Sequence, residues 1–169
     1  MEIKIINYKK EYQVINNSEI VLEARKPKWY SSEVNFQHND KNYEIKKIKF
    51  WSMSYTIFEL ERPIGEIDLS YMKGGVIRLK NKNATYNEYT LKKEKVGKWY
   101  TSERRYVLKK KDLSSVLIIH YGIKNRWSLP ENISVSFNDK LATDFVLLVC
   151  SLFLMRQQLS SENNVSTAM

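Results

Sequence analysis

The sequence predicts a mainly β protein: a closed antiparallel β-barrel of about 11–12 strands enclosing one hydrophobic C-terminal α-helix. Three observations carry this expectation. Residues 139–158, DKLATDFVLLVCSLFLMRQQ, are the only apolar run long enough to make a fully buried helix. At 3.6 residues per turn, Phe145, Leu147, Leu148, Val149, Leu152 and Phe153 fall on every side of it, so it has no broad polar face to show water. The chain before it divides into short runs with the two-residue period of strands. Finally, about a dozen strands make a barrel wider than their own side chains can fill, and an all-round apolar helix suits that lumen.

Taken in order, strands are expected over 3–6, 19–24, 32–36, 43–50 and 54–60. The clearest spans 65–71, where Ile67, Leu69 and Tyr71 alternate with Glu66, Asp68 and Ser70. Lys73-Gly74-Gly75 then reads as a hairpin turn, and Ile77 and Leu79 alternate with Arg78 and Lys80 in the returning strand. Further strands are expected over 85–91, 103–109, 115–121 and 133–137. The separators are turn-formers: Asn16-Asn17-Ser18, His38-Asn39-Asp40, Arg62-Pro63, residues 81–83 and residues 129–132. Most connections are too short for a crossover helix, which predicts a meander of antiparallel hairpins. The helix is expected over 139–158, capped by Asn138 or Asp139, with Arg156 against the negative end of its dipole. Residues 1–158 are then one domain and 159–169 a polar, flexible tail.

A bilayer is the competing jacket for the helix. Fifteen residues, 141–155, reach about 22 Å, whereas the hydrocarbon core is about 30 Å thick. Asp144 also carries a charge that lipid disfavours. A tail-anchored membrane interaction protein is therefore the alternative, and a helix inside the barrel the expectation.

The 169 residues suit one domain with a substantial core. A net charge of +9 and a pI near 9.5 favour anionic partners such as acidic lipid headgroups or nucleic acid. Cys150 is the sole cysteine and lies in the apolar helix, so no intrachain disulfide forms, which fits a cytoplasmic setting. The opening MEIKIINYKKEYQV has no uninterrupted apolar stretch of signal-peptide length, so no export signal is expected.

Catalytic chemistry finds little footing. His38, in a polar turn, and His120, in a strand, lack partners at metal-ligand spacing, so neither a metal nor a cofactor is expected. No nucleophile elbow, phosphate loop or dinucleotide fingerprint occurs. Cys150 should be an unreactive thiol. The expectation is a non-enzymatic binding or scaffold module. Its candidate ligand-binding residues are the basic ones around two adjacent strands: Lys92, Lys93, Lys95, Lys98, Arg104, Arg105, Lys109, Lys110 and Lys111. Together they would attract anionic lipid, although lysines also decorate and protect strand edges, and Glu94 and Glu103 dilute the patch. Single-stranded nucleic acid is a third class, through Trp99, Tyr100 and Tyr106 among the cations. Ordinary sheet packing accounts for the same aromatics, and no RNA-binding signature is present.

Three segments carry a resemblance: the strand, turn and strand IGEIDLSYMKGGVIRLK (64–80), the late strands SVLIIHY and ISVSF, and the closing FNDKLATDFVLLVCSLFLMRQ. In this pattern the chain resembles the tubby C-terminal domain superfamily, with its LURP-one-related proteins and phospholipid scramblases. The resemblance implies a barrel around a central helix and a role in binding phosphoinositide or other membrane lipid. With the cytoplasmic setting that the lone cysteine suggests, the expected location is peripheral to the membrane. The resemblance transfers no individual lipid-binding position.

Overall fold

Alternating inward apolar residues and two-residue turns build most of the molecule. The computed structural model describes residues 2–6, 11–27, 33–49, 51–70, 74–81, 83–96, 103–112, 114–122, 131–138 and 144–165. Among these are twelve strands: β1 (Glu2–Ile6), β2 (Glu11–Asn16), β3 (Glu19–Arg25), β4 (Val34–His38), β5 (Lys41–Lys46), β6 (Ser54–Glu59), β7 (Arg62–Ser70), β8 (Gly74–Lys80), β9 (Tyr86–Lys95), β10 (Glu103–Lys110), β11 (Ser115–Gly122) and β12 (Glu131–Phe137). One helix, α1 (Phe145–Val165), follows them. The chain is thus mainly β, an antiparallel sheet wrapped around a C-terminal helix. Consecutive strands pair throughout, and β1 also meets β12 at Glu2↔Ser134 and Ile3↔Ile133. That seam and the β3–β4 ladder, Ala24↔Phe36 and Arg25↔Asn35, are the shortest, with two registered pairs each.

Every neighbour is antiparallel, so the connections alternate between the two ends of the sheet. At one end lie the two-residue turns 17–18, 39–40 and 60–61, together with 81–85 and 111–114. At the other, the long-loop end, lie the ends of β1, β3, β5, β7, β9 and β11, which the sequence joins onward through 7–10, 26–33, 47–53, 71–73, 96–102 and 123–130. The helix starts at the short-turn end, where the rings of Phe145 and His38 are 4.7 Å apart, and runs toward the long-loop end. Both residues of each two-residue turn have positive φ, the geometry that matches the twist of paired strands: Asn17 and Ser18, Asn39 and Asp40, Leu60 and Glu61.

The inner face of the sheet meets the helix on all sides. Nine consecutive residues, Leu147 to Met155, are each at most 2% exposed, which is possible only for a helix enclosed around its full circumference. Phe153 meets Tyr55 edge to face at 4.8 Å. Ser151, the one polar residue in the stretch, donates its hydroxyl to the Leu147 carbonyl at 2.7 Å and so is satisfied within the helix.

Several local expectations are corrected. The helix cap is Asp144: its Oδ1 accepts the Leu147 amide at 3.0 Å, so the carboxylate that stood against a membrane span marks the helix start. Residues 139–143 lie outside the described residues. The helix also continues past Gln158 to Val165, because extending a formed helix adds hydrogen bonds without a new nucleus. Arg156 therefore sits within the helix, with its guanidinium 5.8 Å from the Tyr12 ring centre, rather than against the last turn. The turn expected at Arg62-Pro63 is formed by Leu60 and Glu61, and Pro63 lies in β7 opposite Phe58, beside a register shift that tolerates a missing amide. Gly74 and Gly75 begin β8 rather than forming the turn itself, and 71–73 lie outside the described residues. A Cβ on Gly75 would overlap the Leu154 side chain, so its role is to admit the helix. An additional strand, β2, buries Tyr12 and Val14.

Candidate functional site

Strands β9 and β10 hold the cationic residues singled out from the sequence. Residues directly opposite each other in a ladder share a face. Arg105 pairs with Glu94 and Val107 with Lys92, whereas Arg104 pairs with Lys95 and the buried Tyr106 with Lys93. Strand alternation therefore divides these cations between two faces. Glu94 further divides them: Arg105 Nη2 lies 2.8 Å and Lys109 Nζ 3.2 Å from its carboxylate oxygens. Lys109 first, and Arg105 after it, hold the Glu94 carboxyl below its usual range. Length divides them again. Lys92, Lys93, Arg104 and Arg105 lie toward the long-loop end, while Lys109 and Lys110 finish β10 at the short-turn end and Lys111 follows in the turn. Lys98 lies outside the described residues, as do Trp99 and Tyr100. Tyr106 is fully buried and stacks on Tyr121 at 5.7 Å, so it offers no face to a nucleic-acid base.

A second basic segment reaches the long-loop end through the β5–β6 connection, 47–53. Ile48 and Phe50 alternate with Lys47 and Lys49 in the sequence, a two-residue period that matches the strand expected over 43–50. The strand ends at Lys46, and beyond it a turn closes as the Ser52 amide donates to the Lys49 carbonyl at 3.0 Å. The base of the loop is tied down: Lys46 pairs with Glu44 at 2.6 Å, and Lys47 Nζ stands 5.2 Å from the Tyr55 ring centre. Its tip is open, with Trp51 85% exposed, Ile48 68% and Met53 42%. Lysines interleaved with large apolar residues are the sequence signal for this loop, and a strand shares the same period.

Two concavities lie on the flank of the sheet. A groove of about 1300 Å³ follows β3 and β4 over their length, from Ile20, His38 and Phe145 at the short-turn end to Arg25 and Lys26 at the other. A recess of about 200 Å³ next to it gathers Tyr43, Glu59, Lys80, Tyr89 and Asp144. Here Tyr43 donates its hydroxyl to Glu59 Oε1 at 2.9 Å, and Lys41 donates to the same oxygen at 3.0 Å. Lys41 is the main cause of a lowered Glu59 carboxyl pKa, helped by Tyr43. Burial first, and the Glu59 contact after it, push the Tyr43 phenol up to about 12. Glu59 is thus held as an acceptor and Tyr43 as a donor, an arrangement that ties β5 to β6 across their ladder.

The remaining chemical candidates are also placed. His38 ends β4 against Phe145 instead of lying in a turn. His120 is exposed in β11, opposite Arg105 and Ser134. No cluster of three or more metal-ligating residues occurs among the described residues. Cys150 is fully buried, and burial raises its thiol pKa well above the ordinary value, which leaves it unreactive. Comparison of the chain with family models, with curated proteins and with solved structures gives no match.

Proposed function

We propose that the protein is a non-enzymatic binding module whose long-loop end recognises anionic membrane lipid, such as phosphoinositide, from the cytoplasmic side of a membrane. One observation carries the reading: the topology brings Lys46, Lys47 and Lys49 of the β5–β6 segment to the same end as Lys92, Lys93, Arg104 and Arg105 of β9 and β10. Cations near an anionic surface contribute about 1 kcal/mol each, less where a carboxylate already neutralises them, as Glu94 does for Arg105. Lys109 reaches back along the ladder to Glu94, which neutralises it beside Arg105, whereas Lys110 and Lys111 belong to the opposite end and fall outside this surface.

The reading requires no membrane-spanning anchor. The apolar stretch of α1 lies inside the sheet, and among the described residues no helix is long and apolar enough to cross a membrane. The enclosed C-terminal helix also supports a kinship with the tubby-like fold, in which the short β1–β12 seam closes the sheet into a barrel. Flotation of the full-length protein with phosphatidylcholine vesicles, with and without anionic lipid, tests the function. Recovery should require the anionic lipid and fall with added salt. Equal recovery in both would remove the proposal.

A further inference from the structure

We propose that the β5–β6 connection is a membrane-penetrating loop, in which Ile48, Trp51 and Met53 enter the boundary between headgroups and acyl chains while Lys47 and Lys49 remain among anionic headgroups. The inference rests on the lipid reading above and adds to it a site and a mode of engagement. Of the seven exposed large hydrophobic residues among the described ones, three fall between residues 48 and 53, a concentration that marks a patch rather than scatter. Trp51, the most exposed of them, has the side chain best suited to the interface, apolar in its body with one polar N–H.

Charge complementarity selects the occupant. Residues 46–53 contain three lysines and no acid, and Glu44 holds Lys46 at the base of the loop. An anionic bilayer satisfies both properties at once, because lysine stems can lie along apolar surface while their ammonium groups stay at the headgroups. The loop is also already shaped: the Ser52–Lys49 hydrogen bond, the Ser54 amide on Ser52 Oγ at 3.0 Å and the Lys47–Tyr55 contact order it before any membrane arrives. Less ordering then opposes insertion. The loop lies at the long-loop end with the β9–β10 cations, so cationic attraction and apolar insertion act on the same side of the molecule.

The test uses the full-length protein with phosphatidylcholine vesicles, with and without phosphatidylserine, carrying brominated acyl chains as quenchers. Three other tryptophans are present, at 29, 99 and 127, so the contribution of Trp51 is read as wild type minus Trp51→Phe. On phosphatidylserine vesicles this difference signal should shift to the blue and be quenched by bromines near the headgroups. Trp51→Ser should weaken partitioning by about tenfold, the change expected when one large side chain no longer leaves water. It should also leave the unfolding midpoint unchanged, because the side chain is largely exposed. Wild-type binding to phosphatidylserine vesicles with no Trp51 quenching and no loss in Trp51→Ser would overturn the insertion and leave the lipid reading standing. Absence of wild-type binding would overturn both, and the patch would then belong to a protein partner.

Discussion

Gly75→Ala is a small change with an outcome that depends on the helix. The added Cβ would overlap Cγ, Cδ1 and Cδ2 of Leu154, the whole branched head of that side chain. Leu154 is fully buried in a helix enclosed on every side, so the helix cannot simply move away. Overpacking of this kind costs about 1–3 kcal/mol, offset by about 0.4–1 kcal/mol because alanine restricts the unfolded chain. The net loss should be about 1–2 kcal/mol, or a fall of roughly 2–8 °C in Tm for a chain of this size. Leu154→Ala alone should cost about 2–5 kcal/mol, and it removes the three colliding carbons. On that background Gly75→Ala should become neutral or stabilising, giving a coupling of about 2 kcal/mol. Urea unfolding of the four proteins, followed by far-UV circular dichroism and fluorescence, measures the cycle. Additivity within about 0.5 kcal/mol would refute the packing of α1 onto β8.

Two further outcomes follow from the helix start and the buried phenols. Asp144→Ala removes the acceptor for the Leu147 amide and should lower stability by about 1 kcal/mol, with Asp144→Asn retaining most of the capping; thermal unfolding of the two variants checks this. Burial pushes the Tyr12 phenol up to about 12, with Arg156 opposing it, and Tyr43 reaches a similar value. A raised folded-state pKa means that the unfolded chain releases these protons first. Their stabilisation is therefore intact below pH 10 and is lost as pH rises from there through about 12. Denaturant midpoints measured across that range should fall less steeply in Tyr12→Phe than in wild type, and an unchanged slope would contradict the burial of the phenol.

Strong local patterns survived into the structure where a single physical cause set them. The all-round apolar surface of residues 145–155 announced an enclosed helix, and the alternation of Ile67 and Leu69 with charged neighbours announced a strand facing it. Misassignments arose where two causes leave the same pattern. Lysines interleaved with Ile48 and Phe50 imitate a strand, although the turn at Lys49–Ser52 ends it. The glycine pair resembled a turn, whereas Gly75 answers to Leu154, a residue 79 positions later that no local pattern could reveal. Leu60 and Glu61 carry no turn signature, and the register of β6 against β7 imposes positive φ on them. The cationic residues were visible as a list, but their division between two faces and two ends depends on ladder register, which charge counting does not contain.

The claim on which the rest depends is that α1 is the core of the sheet, and Cys150 reports on it alone because it is the only cysteine and lies midway along the enclosed stretch. The direct measurement is maleimide labelling of Cys150 in the native full-length protein across a denaturant series, beside global unfolding followed by circular dichroism. With α1 held as the core, labelling should require global opening, and its free energy should match that of unfolding at every denaturant concentration. Rapid labelling while the strands remain fully folded would show that the helix leaves the sheet independently and would contradict the account.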